Sequence, residues 1–204
     1  MEQLNPELEA CIKFHGHLCP GLMIGYRVAI LAREKLGLKR SADEELVAIV
    51  ENNSCAVDAV QFINGATFGK GNLIFEDHGI HAYTFIERRS EKQIRIELKQ
   101  DIFQDESGKR KELLQKRSKN IPLTDEETLF FEENRKSTID KLLKMADEDL
   151  FYTKDTSIKI PEKASIFSSL QCTKCKLGVM ETKIRVLNEQ YYCIPCWKKE
   201  LNIQ

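Results

Sequence analysis

Two C-x-x-C pairs, Cys172-Thr-Lys-Cys175 and Cys193-Ile-Pro-Cys196, constrain this chain more tightly than any other feature. The 17 residues between them match the spacing of a structural four-cysteine zinc site. Each tight turn aims two thiolates at one ion, and two turns complete a tetrahedron. A segment of about 35 residues buries little core, so the ion would supply the folding energy. Gly178 suits the turn that leaves the first knuckle. Thr182 to Val186 and Gln190 to Tyr192 can form a hairpin, and Trp197 and Leu201 can seat a terminal helix. Residues 168–204 are therefore expected to be a small treble-clef or ribbon-like zinc finger. Four thiolates leave no open coordination position, which argues against catalysis there. A redox role for either pair alone stays open. Lys174, Lys176, Lys183, Arg185, Lys198 and Lys199 outnumber Glu181, Glu189 and Glu200, but the zinc–thiolate centre is itself anionic. A partner protein and a nucleic acid thus both remain open as ligands of the finger.

The rest of the 204-residue chain is large enough for one domain with a real core, at 42% hydrophobic residues overall. With 31 basic and 32 acidic residues the net charge is −1, which gives no global attraction to nucleic acid or membrane. Met1 to Glu7 lacks the basic start and apolar run of a signal peptide. No stretch of about 18 uncharged apolar residues occurs, as a membrane-spanning helix needs. A soluble, cytoplasmic protein without membrane partners is expected. There, seven cysteines point to metal or catalysis more than to disulfides.

Asn5-Pro6 reads as a helix cap with proline in the first turn, opening a short helix to about Phe14. Cys19-Pro20 repeats the device. Ile24, Val28, Leu31 and Leu36 then recur at helical spacing up to Gly37, and Gly21 and Gly25 would allow close backbone packing. Leu46 to Val50 is a β-branched run, apolar throughout, and so a strand buried on both faces. Asn52-Asn53-Ser54 caps a helix over Cys55 to Ile63, stopped by Asn64-Gly65. Strands follow at 72–76, 81–88 and 93–99, the last two as an antiparallel hairpin.

The segment Gly65 to Gly71 has too few residues between its first glycines for a phosphate loop, and it follows a helix where a strand is required. It is read as a glycine-rich turn. Residues 105–150 are dominated by charge. One helix is predicted from Glu106 to Lys119, and a capping box at Thr124 to Glu127 opens a second, to about Leu150. Leu129, Phe130, Leu142, Leu143 and Met145 would form its apolar face. The whole predicts an α+β core domain over residues 1–160, with a mixed or antiparallel sheet, the charged helical segment 105–150 and a short linker to the finger.

The chemistry of the core concentrates in Phe14-His15-Gly-His17-Leu-Cys19-Pro-Gly21. Cys19 stands at a helix N-terminus, which favours an anionic sulfur. His17 is close enough in sequence to share a metal with it, His15 lies nearby, and Cys55 at the start of another helix could supply a third ligand. His17, Cys19 and Cys55 with an open position would make a catalytic or substrate-binding site for zinc or another transition metal. Without metal, Cys19 and His17 are the candidate nucleophile and base. Against these readings stand histidines that merely brace a loop and a Cys55 that is simple core. Structural roles are expected for His78 and His81, and Cys11 reads as core.

His15-Gly-His17-x-Cys19-Pro-Gly, Asn53-Ser-Cys55-x-x-Asp58-Ala and Gly65-x-Thr67-x-Gly69-Lys-Gly71-Asn72 occur in this order. Together they resemble the formylmethanofuran dehydrogenase E-subunit (FmdE) family over roughly residues 8–100. That resemblance implies an α+β core, followed in some members by a zinc finger. It also implies intertwined homodimers, into which the charged helices would fit. The family is named for association with the enzyme that reduces carbon dioxide onto methanofuran. No molybdopterin or iron–sulfur pattern accompanies the motifs here, so the name does not confer a dehydrogenase activity. The expectation is a metal-binding accessory or regulatory protein. An enzyme acting at the core site and a zinc-finger regulator that binds nucleic acid are the alternatives.

Overall fold

The computed structural model describes residues 5–103 and 108–203, which fall into two compact units, Met1–Lys163 and Ala164–Gln204. In the first unit, helix α1 (Pro6–His15) is capped by Asn5, whose Oδ1 accepts from the Glu7 amide at 2.8 Å. Helix α2 (Pro20–Leu36) is capped by Cys19, whose sulfur accepts from the Leu22 amide at 3.3 Å. Both starts follow the Asn-Pro and Cys-Pro signals. Arg33 of α2 grips Glu7 with two parallel bonds of 2.6 and 2.8 Å, which fixes α1 against it.

Strand β1 (Leu46–Val50) is followed by α3 (Ala56–Asn64), β2 (Leu73–Phe75), β3 (Ala82–Glu87) and β4 (Gln93–Leu98). A short 3-10 turn at Gln100–Phe103 leads on to α4 (Lys109–Ser118), α5 (Asp125–Lys144), the single turn α6 (Asp147–Leu150) and β5 (Phe151–Asp155). The sheet order is β2-β1-β3-β4-β5, with β1 and β2 parallel and the other pairs antiparallel. The sheet is thus mixed, in an α+β unit.

Alternation along the strands sorts the side chains onto two faces. Leu46, Ala48, Val50, Tyr83, Phe85, Ile94 and Ile96 point into the main core beneath α2 and α3. Val47, Ile49 and Ile86 form a second apolar cluster on the opposite face, joined by Ile74 and Ile160. β1 is buried along its whole length, as its unbroken apolar run requires. Elsewhere the second face is polar. Buried Glu51 pairs with Arg95, and Arg95 also donates to Glu97 at 2.6 Å.

Three details depart from the sequence reading. Residues 106 and 107 of the first charged helix lie outside the described residues, and α4 runs from Lys109 to Ser118. The second charged helix stops at Lys144 rather than near Leu150. Arg27 of α2 causes the stop: it donates to the carbonyls of Leu142, Leu143 and Met145 and to Asp147, taking up carbonyls that a continuing helix would use. The chain then turns through α6 into β5, a strand that the charged pattern concealed. On α5 only Ile139 and Leu142 are buried, while Leu129 is 62% and Leu143 39% exposed.

The glycine-rich turn serves packing. Asn72 accepts from Thr67 N at 2.9 Å and donates to the Leu46 carbonyl at 2.8 Å. Lys70 Nζ donates to the carbonyls of Ser41, Ala42 and Asp43. The lysine is committed to backbone, which accounts for the turn without a phosphate.

The second unit contains hairpins β6–β7 (Ser169–Gln171, Gly178–Met180) and β8–β9 (Arg185–Leu187, Gln190–Tyr192), then α7 (Ile194–Glu200). The first cysteine pair sits in the β6–β7 turn and the second opens α7, the arrangement of a treble-clef finger. The left-handed residue of the first knuckle is Lys176, with φ 64°, and not Gly178. Among the described residues, no helix is long and apolar enough to cross a membrane.

Candidate functional site

α2 crosses the start of α3 at very short range. A Cβ placed on Gly25 would stand 2.1 Å from the Ala56 carbonyl oxygen, and one on Gly21 would stand 3.2 Å from Cys55 Cβ and 3.9 Å from Cys19 Sγ. Only glycine permits this approach. It brings the two helix starts, and with them Cys19 and Cys55, to one place. The β1–α3 junction is held by Asn52, whose Oδ1 accepts from the Ser54 amide (3.1 Å) and hydroxyl (2.6 Å), while its Nδ2 donates to the Ile80 carbonyl (2.9 Å). Asn52 therefore shapes the turn that delivers Cys55, although no side chain caps α3 directly.

Ligand-forming atoms of His15, His17 and Cys19 all lie within 4.8 Å of one another. The His15 and His17 rings are stacked at a tilt, 4.6 Å between centroids. His15 Nδ1 lies 2.7 Å from Asp58 Oδ2 and Nε2 lies 3.9 Å from Cys19 Sγ. An ionised carboxylate only accepts, so Nδ1 carries the proton and Nε2 keeps its lone pair on the thiol side. Cys55 is beside Cys19 but outside the three-residue group. Burial first, and then the charge of Cys19 to which it donates its S–H, pushes the Cys55 thiol above its ordinary range.

Sequence reasoning picked His17, Cys19 and Cys55 for this place, and the fold puts all three there. The anchored imidazole beside Cys19, however, is His15. Its partner Asp58 had no assigned role. The signal was available: Asp58 lies three residues after Cys55, one helical turn along α3.

One wall of the site comes from the charged helices. A cavity of about 470 Å³ is lined by His17, Cys19, Arg117, Phe131, Glu132 and Arg135, among others. Arg135 donates to the Leu18 carbonyl at 2.8 Å and pairs with Glu132 at 2.6 Å. The Arg117 guanidinium lies 4.8 Å from the Phe131 ring centre.

Several residues fall outside the site. Cys11 is fully buried, and burial raises its thiol to about 11, so it is inert core. His78 contacts Glu51 at 3.0 Å, and His81 contacts the Tyr83 hydroxyl at 3.2 Å, with burial lowering its pKa.

In the second unit the sulfurs of Cys172, Cys175, Cys193 and Cys196 lie within 4.8 Å of one another and could hold a metal ion. Backbone N–H groups, led by that of Cys175, lower the Cys172 thiol to about 6, whereas S–H bonding to Cys193 pushes Cys196 up to about 12. Four sulfurs converge, and part of the set is stabilised as thiolate before any ion binds.

Comparison with known proteins agrees with this architecture. The chain is 31% identical over 195 residues to a probable S-adenosyl-L-methionine-binding protein of Archaeoglobus fulgidus, covering 90% of this chain and 53% of that protein. The chain thus spans about half the length of that relative. Among solved structures it is similar to a tungsten formylmethanofuran dehydrogenase FmdE-like protein from Syntrophus aciditrophicus. The TM-score there is 0.62 at 23% identity, covering 94% of this chain and 90% of the other; that likeness carries the fold. The model of the family described as "FmdE, Molybdenum formylmethanofuran dehydrogenase operon" matches residues 14–152, the span holding His15, Cys19, Cys55 and Asp58. By that match this chain belongs to the FmdE family.

Proposed function

We propose that the chain is a metal-binding accessory or regulatory protein of the FmdE type, with structural zinc in the finger and an open transition-metal site in the core. The observation that carries this reading is the convergence of His15, His17 and Cys19 within 4.8 Å, with His15 anchored on Asp58 at 2.7 Å. A carboxylate behind an imidazole is the usual support of a metal-ligating histidine, fixing its tautomer and raising its basicity. The donor set of nitrogen and sulfur suits zinc and its neighbours. Three donors leave a coordination position, and Cys55 stands ready as an alternative sulfur. A metal there would polarise a bound group as a Lewis acid. The chain's own residues orient the donors, with Gly21 and Gly25 bringing the helices together. A homodimer belongs to the proposal, with exposed Leu129 of α5 as apolar contact surface.

Metal analysis of the purified protein tests this. The expected content is two ions per chain, falling to one in Cys19→Ala. One ion per chain in both proteins removes the core site.

A second reading is a cysteine-dependent enzyme. Asp58, His15 and Cys19 are in the order of orienting group, base and nucleophile, with Nε2 3.9 Å from the sulfur. Rapid alkylation of Cys19 in metal-free protein, slowed in His15→Ala, supports it. Equal rates remove it.

A further inference from the structure

The cavity beside the core site has an unusual wall for so neutral a protein. Arg110, Arg117 and Arg135 face it, against the single carboxylate of Glu132. Arg135 is held by Leu18 and Glu132, so it serves as a fixed positive charge. Arg117 is stacked on Phe131. Stacking uses the guanidinium face and leaves its in-plane N–H groups, the fork that binds carboxylate and phosphate in bidentate fashion. Thr138 and Asn134 add neutral hydrogen-bonding groups, while His17 and Cys19 line the same space. At about 470 Å³ the cavity is of a size for a small organic molecule.

We propose that this cavity binds a small dianionic molecule through a carboxylate or phosphate group held by Arg117 and Arg110, its other end reaching His17 and Cys19. The assignment rests on the reading of the core as a metal site. The surplus of positive charge disfavours a sulfonium cation in the same place. The ligand class named for the longer Archaeoglobus relative therefore does not fit this cavity.

Calorimetric titration of the metal-loaded full chain with inorganic phosphate and with succinate tests the proposal, with metal content measured on each sample. At least one anion should bind and should lose tenfold or more in affinity in Arg117→Gln, with core metal unchanged. Arg110→Gln should weaken binding independently, and Arg117→Lys should restore only part of it. Added salt should weaken binding in the wild type more than in Arg117→Gln. Absence of binding by both anions, or equal affinity in wild type and both glutamine variants, overturns the proposal while leaving the core metal in place. A wild-type chain without core metal that still binds anion through Arg117 overturns the metal reading instead, and leaves the anion site standing.

Discussion

His15 Nδ1 donates to Asp58 Oδ2 across 2.7 Å, joining the last residue of α1 to the first turn of α3, 43 positions away. The contact decides which imidazole nitrogen faces Cys19. Asp58→Asn keeps the shape and removes the charge. It should lower core metal affinity by about 10- to 100-fold, the usual loss for such supporting groups, with little change in the unfolding midpoint. Competition with a chromophoric chelator measures it.

The helix crossing on which this contact depends has its own test. Gly25→Ala places a methyl group 2.1 Å from the Ala56 carbonyl oxygen, and α2 must shift. A cost of about 2–3 kcal/mol is expected in urea unfolding, together with loss of core metal as the helix starts part. Gly16→Ala is the comparison. Gly16 has φ 99° with nothing within 4 Å of an added Cβ, so only backbone strain of about 1–2 kcal/mol is expected.

On the polar face of the sheet, hydrogen bonding from Arg95, with a smaller contribution from His78, holds the Glu51 carboxyl below the usual carboxylate range despite its burial. A lowered folded-state pKa means that the contribution is complete above the unfolded value of about 4.3 and is lost as pH falls through the folded value. Wild type should therefore lose stability steadily in acid below that point. Glu51→Gln should lose about 2 kcal/mol at neutral pH and show a shallower acid limb. Thermal melts across the acid range check both.

The finger should behave as a separate metal-dependent unit. Cys196→Ala removes one of four converging sulfurs and should reduce metal content by one ion while unfolding only residues 164–204. Limited proteolysis should then release that segment and leave the larger unit intact.

Much of this organisation was legible in the chain. The caps at Asn5 and Cys19, the double-sided strand Leu46 to Val50 and the β3–β4 hairpin follow from local chemistry and alternation. Even Gly21 and Gly25 were visible as a pair. What the sequence concealed is tertiary. The strand Phe151–Asp155 has four exposed residues of five and gains its identity from pairing with β4. The end of α5 is imposed by Arg27, 115 residues from the Leu142 carbonyl that it caps. Asp58 looked like an ordinary first-turn acid until α1 was placed beside it. Arg117 and Arg135 looked like parts of a solvated charged helix, and their role in a cavity wall depends on how α4 and α5 fold back over the histidine loop.

The central claim concerns the core, and the finger's own metal would obscure it. X-ray absorption at the zinc edge of a Cys172→Ser/Cys175→Ser variant isolates the core site. The account predicts one retained ion with mixed ligation, sulfur at about 2.3 Å and imidazole nitrogen at about 2.0–2.1 Å, abolished by adding Cys19→Ala. A variant that retains no metal, or whose ion persists unchanged without Cys19, would contradict it.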